Sequence, residues 1–194
     1  MNISFRIIMI CIIILISMSI AYAPEEGKLE IGDKAPPIRA NDDAGNLWKL
    51  EDHLGEKYLV VYFYPAAMTG GCTKQACSYR DKKDDLSELN VEVVGVSGDP
   101  VSNLQIFKQI HNLNFTLLSD VSGDIAHRFG VPVGEGNTIS RTIDDKEISL
   151  ERALTETRWT FVIDKTGKVI YKDTEVEAEK DSQKVLEFLK NIDK

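Results

Sequence analysis

Two cysteines, Cys72 and Cys77, carry the most informative chemistry in this 194-residue sequence. They follow an apolar run at residues 58–64 and a short loop that contains Gly70 and Gly71. The run is typical of a strand buried on both faces, and the residues after the loop have helical periodicity. Cys72 is therefore predicted at the start of a helix that follows a strand, where ligand sites of α/β sheets gather.

A cysteine at such a position is predicted to be reactive. Free backbone N–H groups and the positive end of the helix dipole favour an anion there. In these surroundings the pKa of a cysteine thiol can fall from about 8.5 to about 3.5–7.5, and the thiolate is the nucleophilic form. The position predicts a nucleophilic sulfur at Cys72, with an inert buried thiol as the structural alternative.

The spacing of the two cysteines argues against a permanent disulfide. On an intact helix, five residues correspond to a rise of about 7.5 Å and a Cα–Cα distance of about 8.6 Å. A disulfide requires Cα atoms about 4.4–6.8 Å apart. A bond between Cys72 and Cys77 therefore requires the first helical turns to unwind, which suits a bond made and broken in each cycle. Cys77 has a structural alternative too, because a helix cysteine is often only a small apolar residue.

The residues around the first cysteine resemble the active-site motif of the peroxiredoxins. Pro65, Thr69 and Cys72 match the pattern Pro-x-x-x-Thr-x-x-Cys. The continuation Cys-Thr-x-Gln-Ala-Cys, which ends at Cys77, is similar to the bacterioferritin comigratory protein group, also called Q-type peroxiredoxins. Further likeness is found within the rest of the chain, and the resemblance covers about residues 29–192.

This resemblance implies an α/β, thioredoxin-like fold, with a central mixed β-sheet flanked by helices and an N-terminal β-hairpin. It implies that Cys72 is the peroxidatic cysteine and Cys77 the resolving cysteine, joined by an intramolecular disulfide during turnover. Thr69 would hold the thiolate and the peroxide through its hydroxyl. Arg158 would lie beside the sulfur, and Pro65 would shield it from water. Each of these three residues also has a simpler structural alternative, as a helix cap, a surface ion-pair residue and a strand terminator respectively.

The resemblance also implies a function. The protein would reduce hydrogen peroxide and organic hydroperoxides, without a cofactor, in antioxidant defence. A thioredoxin-like protein with two thiols would recycle the disulfide. On the residues alone, a thiol–disulfide oxidoreductase of the same fold stays open, although it would favour Cys-x-x-Cys and four residues separate these cysteines. A redox sensor or a disulfide-stapled binding module is the non-enzymatic alternative.

Two positions depart from the common pattern of the group. Gly71 stands where many relatives carry proline, and Trp159 stands where serine is frequent. Proline presets the backbone of a helix start, whereas glycine leaves it looser, so we expect easier unwinding around Cys72. Trp159 is expected to alter the rim of the pocket.

Residues 24–194 are predicted to form one domain of alternating strands and helices. Residues 38–50 and 159–171 are each predicted to contain a hairpin. In the helix predicted at 101–110, spacing by three assigns Leu104, Phe107 and Ile110 to the core. The other strands are predicted at 58–64, 91–96 and 115–118, the other helices at 72–89, 125–129 and 178–192, and a short exposed hairpin at 142–149.

The first 23 residues have the pattern of a secretory signal peptide. Arg6 precedes an apolar run at residues 7–20, and Ala21-Tyr22-Ala23 is a small-x-small cleavage pattern. The run of 14 residues is short for a membrane span, which needs about 20. We expect export to the periplasm or another extracytoplasmic space, with loss of Cys11. An uncleaved N-terminal membrane anchor is the alternative.

Composition restricts the partners. The net charge of −8 argues against nucleic-acid binding, because a phosphate-binding surface requires clustered Lys and Arg. The three histidines, His53, His111 and His127, are scattered, and none is near a cysteine of the motif. No metal site is therefore predicted, and we expect a monomer or a weak homodimer.

Overall fold

The computed structural model of the protein describes residues 29–192. The predicted signal segment and Cys11 lie outside these residues. Within them no helix is both long and apolar enough to cross a membrane. The elements follow in the order β1 (Arg39–Asp42), β2 (Leu47–Lys49), β3 (Tyr58–Phe63), α1 (Gly70–Asp81), α2 (Lys83–Glu88), β4 (Val91–Ser97), α3 (Val101–His111), β5 (Thr116–Ser119), α4 (Asp124–Phe129), β6 (Val133–Ile143), β7 (Lys146–Glu156), β8 (Thr160–Ile163), β9 (Val169–Asp173) and α5 (Asp181–Ile192).

Seven strands form one mixed sheet in the order β2-β1-β5-β4-β3-β8-β9. Strand β4 pairs in parallel with both β3 and β5, whereas β8 pairs antiparallel with β3 and β1 antiparallel with β5. The hairpins β1–β2 and β8–β9 confirm the two hairpins predicted from sequence. Because β3 is an interior strand of the sheet, the loop that follows it starts from a strand end held by neighbours on both sides.

Strand β3 is buried on both faces, as its continuous apolar run predicts. Leu59, Val61 and Phe63 join an apolar cluster on the side of α4. Val60 and Tyr62 point to the opposite side and join the cluster that contains residues of α1, α3 and α5. Alternation of side chains along a strand therefore supplies both layers of the core from one sequence run.

The helix with the two cysteines differs in its limits from the prediction. It begins at Gly70, so Cys72 is its third residue. The helix ends at Asp81, and Lys82 separates it from α2. In α3, Leu104 is buried, but Ile110 is 41% exposed, so its assignment to the core is wrong. A spacing of three residues drifts around a helix by about 120° over six residues, which moves Ile110 off the core face.

Strands β6 and β7 form a separate antiparallel hairpin, much longer than the one predicted in this region. Asp144 and Asp145 make its turn with φ of 48° and 61°, a left-handed conformation that Asp tolerates. We call residues 133–156 the arm. Its buried residues include Leu150 and Arg152.

Candidate active site

Cys72 lies in the first turn of α1 with its side chain buried. Thr69 precedes the helix with extended backbone angles, φ −104° and ψ 152°. The N–H of Thr73 donates to the Thr69 carbonyl at 2.8 Å and closes the first turn. Cys72 is 2% exposed. The sulfur therefore lies at the helix end where free N–H groups and the dipole favour a negative charge.

Arg158 brings a positive charge to this sulfur. Its Nη2 lies 3.3 Å from Cys72 Sγ. The residue lies two positions before β8, the strand that pairs with β3, so the sheet brings it beside the start of α1. Trp159, the next residue, points to the other side and packs against the cluster on the α4 side. Its expected place at the pocket rim is wrong, because consecutive residues of an extended chain point to opposite faces.

The hydroxyl of Thr69 does not cap the helix. Its Oγ1 donates to the Ala66 carbonyl at 2.9 Å and forms no capping hydrogen bond. Thr69 therefore occupies the N-cap position of the helix without capping it through its side chain. The lone pairs of the oxygen stay available beside the helix start. Pro65 is half-buried at the start of the same loop, and its shielding of the sulfur stays a prediction.

Cys77 is a half-buried free thiol on the same uninterrupted helix as Cys72. The helical separation of about 8.6 Å between their Cα atoms therefore applies to the folded protein. Arg80 lies near Cys77. The pKa of Arg80 is raised by a hydrogen bond to Asp81 and, to a lesser extent, by Cys77. The two sulfurs cannot bond until α1 unwinds.

Comparison with known proteins decides the family. The model of the AhpC/TSA family matches residues 31–172. The chain belongs to the AhpC/TSA family. A protein named Peroxiredoxin Bcp from Bacillus subtilis is 36% identical over 164 residues, 84% of this chain and 97% of that protein. Peroxiredoxin Bcp from Escherichia coli is 38% identical over 162 residues, 84% of this chain and 96% of that protein.

Solved structures agree with this assignment. Peroxidoxin BcpB from Mycobacterium tuberculosis is 32% identical and superposes with a TM-score of 0.71 over 85% of this chain and 99% of its own. A PrxQ structure from Xylella fastidiosa is 23% identical with a TM-score of 0.72, over 86% of this chain and 99% of its own, which bears on the fold alone. The predicted thioredoxin-like fold and the peroxiredoxin resemblance are confirmed. The chain is a thiol-dependent peroxidase.

In this peroxiredoxin, Gln75 binds the terminal nitrogen of Arg158 that does not face Cys72, a role that was not predicted from the sequence. Arg158 Nη1 donates to Gln75 Oε1. Gln75 Nε2 in turn donates to Asp181 Oδ2 at 2.7 Å. The hydroxyls of Tyr79 and Thr160 donate to the same Oδ2 at 2.8 Å and 2.9 Å. Burial raises the pKa of Asp181, and these hydrogen bonds oppose that effect.

A buried ion pair fixes the loop before α1. The side chains of Asp99 and Arg152 are fully buried, with Arg152 Nε 2.9 Å from Asp99 Oδ1. Asp99 Oδ2 accepts the Ala67 N–H at 2.7 Å, and Arg152 Nη2 donates to the Ala67 carbonyl at 3.4 Å. The position of Asp99 after β4 could have indicated from sequence that it lies near the site, because β4 ends at the same sheet edge as β3.

The arm adds a second contact to this loop. Arg141 Nε donates to the Met68 carbonyl at 2.8 Å. Met68 has φ of 62°, a left-handed conformation that costs about 1–3 kcal/mol for most residues. The loop is therefore held in an unfavourable backbone conformation by side chains of the arm. Among residues 29–192, no group of three or more His, Cys, Asp or Glu side chains is placed to hold a metal ion.

Proposed function

We propose that Cys72 is the nucleophile for hydrogen peroxide and organic hydroperoxides, and that Cys77 resolves the product as a disulfide. The observation that carries this proposal is the guanidinium of Arg158, 3.3 Å from a sulfur that is itself buried at a helix start. A fixed cation and the helix dipole both favour the ionised sulfur. Apolar surroundings strengthen these interactions relative to water.

In the first step, one oxygen is transferred from the peroxide to Cys72. The thiolate attacks one peroxide oxygen in line with the O–O bond, so a sulfur–oxygen bond forms while the O–O bond breaks. The other oxygen leaves with the bonding electron pair and takes up a proton, giving water or an alcohol. Arg158 and backbone N–H groups stabilise the charge that develops on this oxygen. Thr69 orients the peroxide through its hydroxyl. The sulfur becomes a sulfenic acid.

In the second step, the first turns of α1 unwind and Cys77 attacks the sulfur of Cys72. The sulfenic hydroxyl leaves and takes up the thiol proton as water, and the disulfide forms. A thioredoxin-like dithiol then reduces this disulfide through a mixed disulfide and is itself oxidised to a disulfide. The enzyme therefore alternates between a folded and a locally unfolded α1.

Two further proposals concern the setting of the enzyme. The signal-like pattern of residues 1–23 supports export, so the mature protein isolated from cells should begin at Pro24. An intact Met1 on a cytoplasmic protein would contradict this. We also propose a monomer or a weak homodimer, because Cys72 and Cys77 lie on one helix and their disulfide needs no second subunit. Light scattering of the reduced protein should give the mass of one chain or a concentration-dependent mixture with two.

Peroxide consumption with thioredoxin and its reductase tests the proposed function. We expect rapid consumption by the wild-type protein and none by Cys72→Ser. Reduction of insulin disulfides is measured in parallel, because a thiol–disulfide oxidoreductase would reduce insulin efficiently and consume peroxide slowly. That pattern, or normal peroxide consumption by Cys72→Ser, would contradict the proposal.

A further inference from the structure

One buried carboxylate contacts both the helix that must unwind and the group that orients the arginine at the sulfur. We propose that Asp181, at the start of α5, is a positioning residue for the reaction of Cys72. We further propose that it stabilises the folded form of α1 against the form in which the disulfide is made. This inference rests on the proposed function, because it concerns the two steps of the same site.

The Asp181 carboxylate joins three elements. Gln75 and Tyr79, both on α1, donate to its Oδ2, and so does Thr160 on β8. The four side chains belong to residues that are at most 1% exposed. Hydrogen bonds to a charged group in such surroundings are stronger than those between neutral groups. Loss of Asp181 would therefore release α1 from α5 at two points.

The same carboxylate determines which way the Gln75 amide points. A side-chain amide has one accepting oxygen and one donating nitrogen. Asp181 Oδ2 receives the nitrogen, so the oxygen faces Arg158 and accepts from its Nη1. This contact leaves Arg158 Nη2 at Cys72 Sγ. The position of the cation is thus set through one intervening side chain.

Gln75 lies between the two cysteines, in the segment that must unwind. A bond between Cys72 and Cys77 displaces the backbone of the intervening residues and withdraws Gln75 from Asp181. Asp181 Oδ1 already has no hydrogen-bond partner, so withdrawal leaves a buried carboxylate with still fewer donors, which is unfavourable. Asp181 therefore favours the peroxide-reactive form of α1 and opposes the disulfide-forming one.

Replacement of Asp181 should change the two steps in opposite directions. In Asp181→Ala the Gln75 amide is free to turn, so Cys72 should react with peroxide roughly five- to tenfold more slowly, as is typical for one lost hydrogen bond. Formation of the disulfide from the sulfenic acid should become faster. Both rates are measured by stopped-flow fluorescence. Hydrogen exchange of the amides of residues 73–79 in the reduced protein should also become faster.

The pH dependence of Cys72 alkylation separates positioning from simple charge. Removal of a nearby negative charge by itself favours the thiolate and moves the alkylation midpoint to lower pH. Misplacement of Arg158 moves it to higher pH, which we expect for Asp181→Ala. Asp181→Asn keeps a carbonyl oxygen for the donors and should retain most of the peroxide rate. In an Arg158→Ala background, Asp181→Ala should not raise the midpoint further.

Val185→Ala is the matched control. Val185 is fully buried on the same helix but belongs to the apolar cluster. It should lower stability to urea without moving the two rates in opposite directions. If Asp181→Ala does not fold, Gln75→Met removes the same link between Asp181 and Arg158 and carries the same expectation for the alkylation midpoint and the peroxide rate.

The outcomes are distinct. Equal slowing of both steps, unchanged rates, or the same opposite shifts in Val185→Ala would overturn the role of Asp181. A wild-type protein that consumes no peroxide would contradict the proposed function instead. Alkylation and hydrogen exchange of the reduced protein would still test the Asp181 contacts in that case, because neither measurement requires turnover.

Discussion

The sulfur of Cys72 lies among apolar side chains, so its charge depends on a small number of polar neighbours. Burial alone disfavours an anion. The Arg158 guanidinium, 3.3 Å away, and the N–H groups of the helix start oppose this effect. These groups are held in place before a peroxide arrives, so little reorganisation is needed during the reaction.

Arg158→Ala should therefore make this sulfur less reactive. We expect the midpoint of Cys72 alkylation to move to higher pH and the peroxide rate to fall roughly 100-fold, the typical effect of losing a donor to a developing anion. Alkylation of the reduced protein as a function of pH and stopped-flow kinetics measure these changes. Arg39→Ala, at an exposed ion pair with Glu51, is the control and should change neither. An unchanged alkylation curve in Arg158→Ala would remove this arginine from the site.

Individual residues were predictable from sequence where the chemistry is local. The cysteine at the helix start follows from the apolar strand before it, the motif adds Thr69, and the family resemblance adds Arg158. Gln75 lies in the same motif, yet its partners Arg158 and Asp181 are 83 and 106 residues away. No spacing along the chain indicates such contacts, so its role became visible only in the folded structure.

In the proposed cycle, helix α1 is folded for the first step and unwound for the second. Its first two residues are glycines, Gly70 and Gly71. A Cβ at Gly71 would meet only the Arg158 guanidinium, at 3.4 Å, and one at Gly70 would meet open space. Glycine lowers helix stability by about 0.5–1 kcal/mol relative to alanine. The two glycines therefore keep the first turn easy to unwind.

Gly71→Ala should stabilise this turn and slow formation of the disulfide about two- to fivefold. The sulfenic acid then persists longer, so excess peroxide should convert more Cys72 to the sulfinic acid. Rapid-quench mass spectrometry measures both products. Gly70→Ala is the matched variant in the same turn, without a contact to Arg158. If Gly71→Ala slows the step and Gly70→Ala does not, the explanation by helix stability is wrong.

The elements around the site differ in how well sequence predicts them. Strand β3 and the start of α1 have strong local patterns. The arm does not, because Arg152 and Glu156 occupy buried positions of β7. Polar residues at inward positions interrupt the alternation that identifies a strand. Arg152 fixes the active-site loop through the Ala67 carbonyl and Asp99, so one of the residues that interrupts the strand pattern serves the site.

Buried acidic groups link the stability of the whole molecule to pH. Asp99, Asp120 and Glu156 are all buried, and Arg152 forms its ion pair with Asp99. Burial raises the pKa of Glu156 well above its ordinary value, and the charge of Asp120 adds to this effect. As a carboxylate, Glu156 has no hydrogen-bond partner on either oxygen. As a neutral acid it can donate to Asp120, so we infer that the folded protein keeps Glu156 protonated.

The free energy of unfolding should consequently fall as pH rises from about 4.5, the ordinary range of Glu. Above that pH the folded state holds a proton that the unfolded state releases, so stability declines by up to about 1.4 kcal/mol per pH unit until the folded pKa is reached. The raised pKa of Asp181 acts in the same direction.

Glu156→Gln should weaken this decline and raise stability at neutral pH, because the amide can still donate to Asp120. Urea unfolding at about pH 5, 6 and 7 measures the effect. Glu151→Gln, at an exposed position of the same strand, is the control and should leave the pH dependence as it is. A wild-type curve parallel to that of Glu156→Gln would show that Glu156 ionises normally in the folded protein.

The fold of the whole molecule was predictable because each strand of the main sheet has a local signal. The order of strands and the inward acidic groups were not, since both depend on pairing between distant segments. The proposed order of events joins these scales: Cys72 would react first, and Cys77 would reach it only after α1 unwinds.

Mass spectrometry of the reduced protein after one equivalent of hydrogen peroxide tests this claim most directly. We expect a loss of about two mass units and a linkage between residues 72 and 77. In Cys77→Ser we expect a gain of about sixteen mass units on Cys72, the mass of one oxygen in a sulfenic acid. An unchanged mass, or oxidation of Cys77 with Cys72 still reduced, would contradict the account.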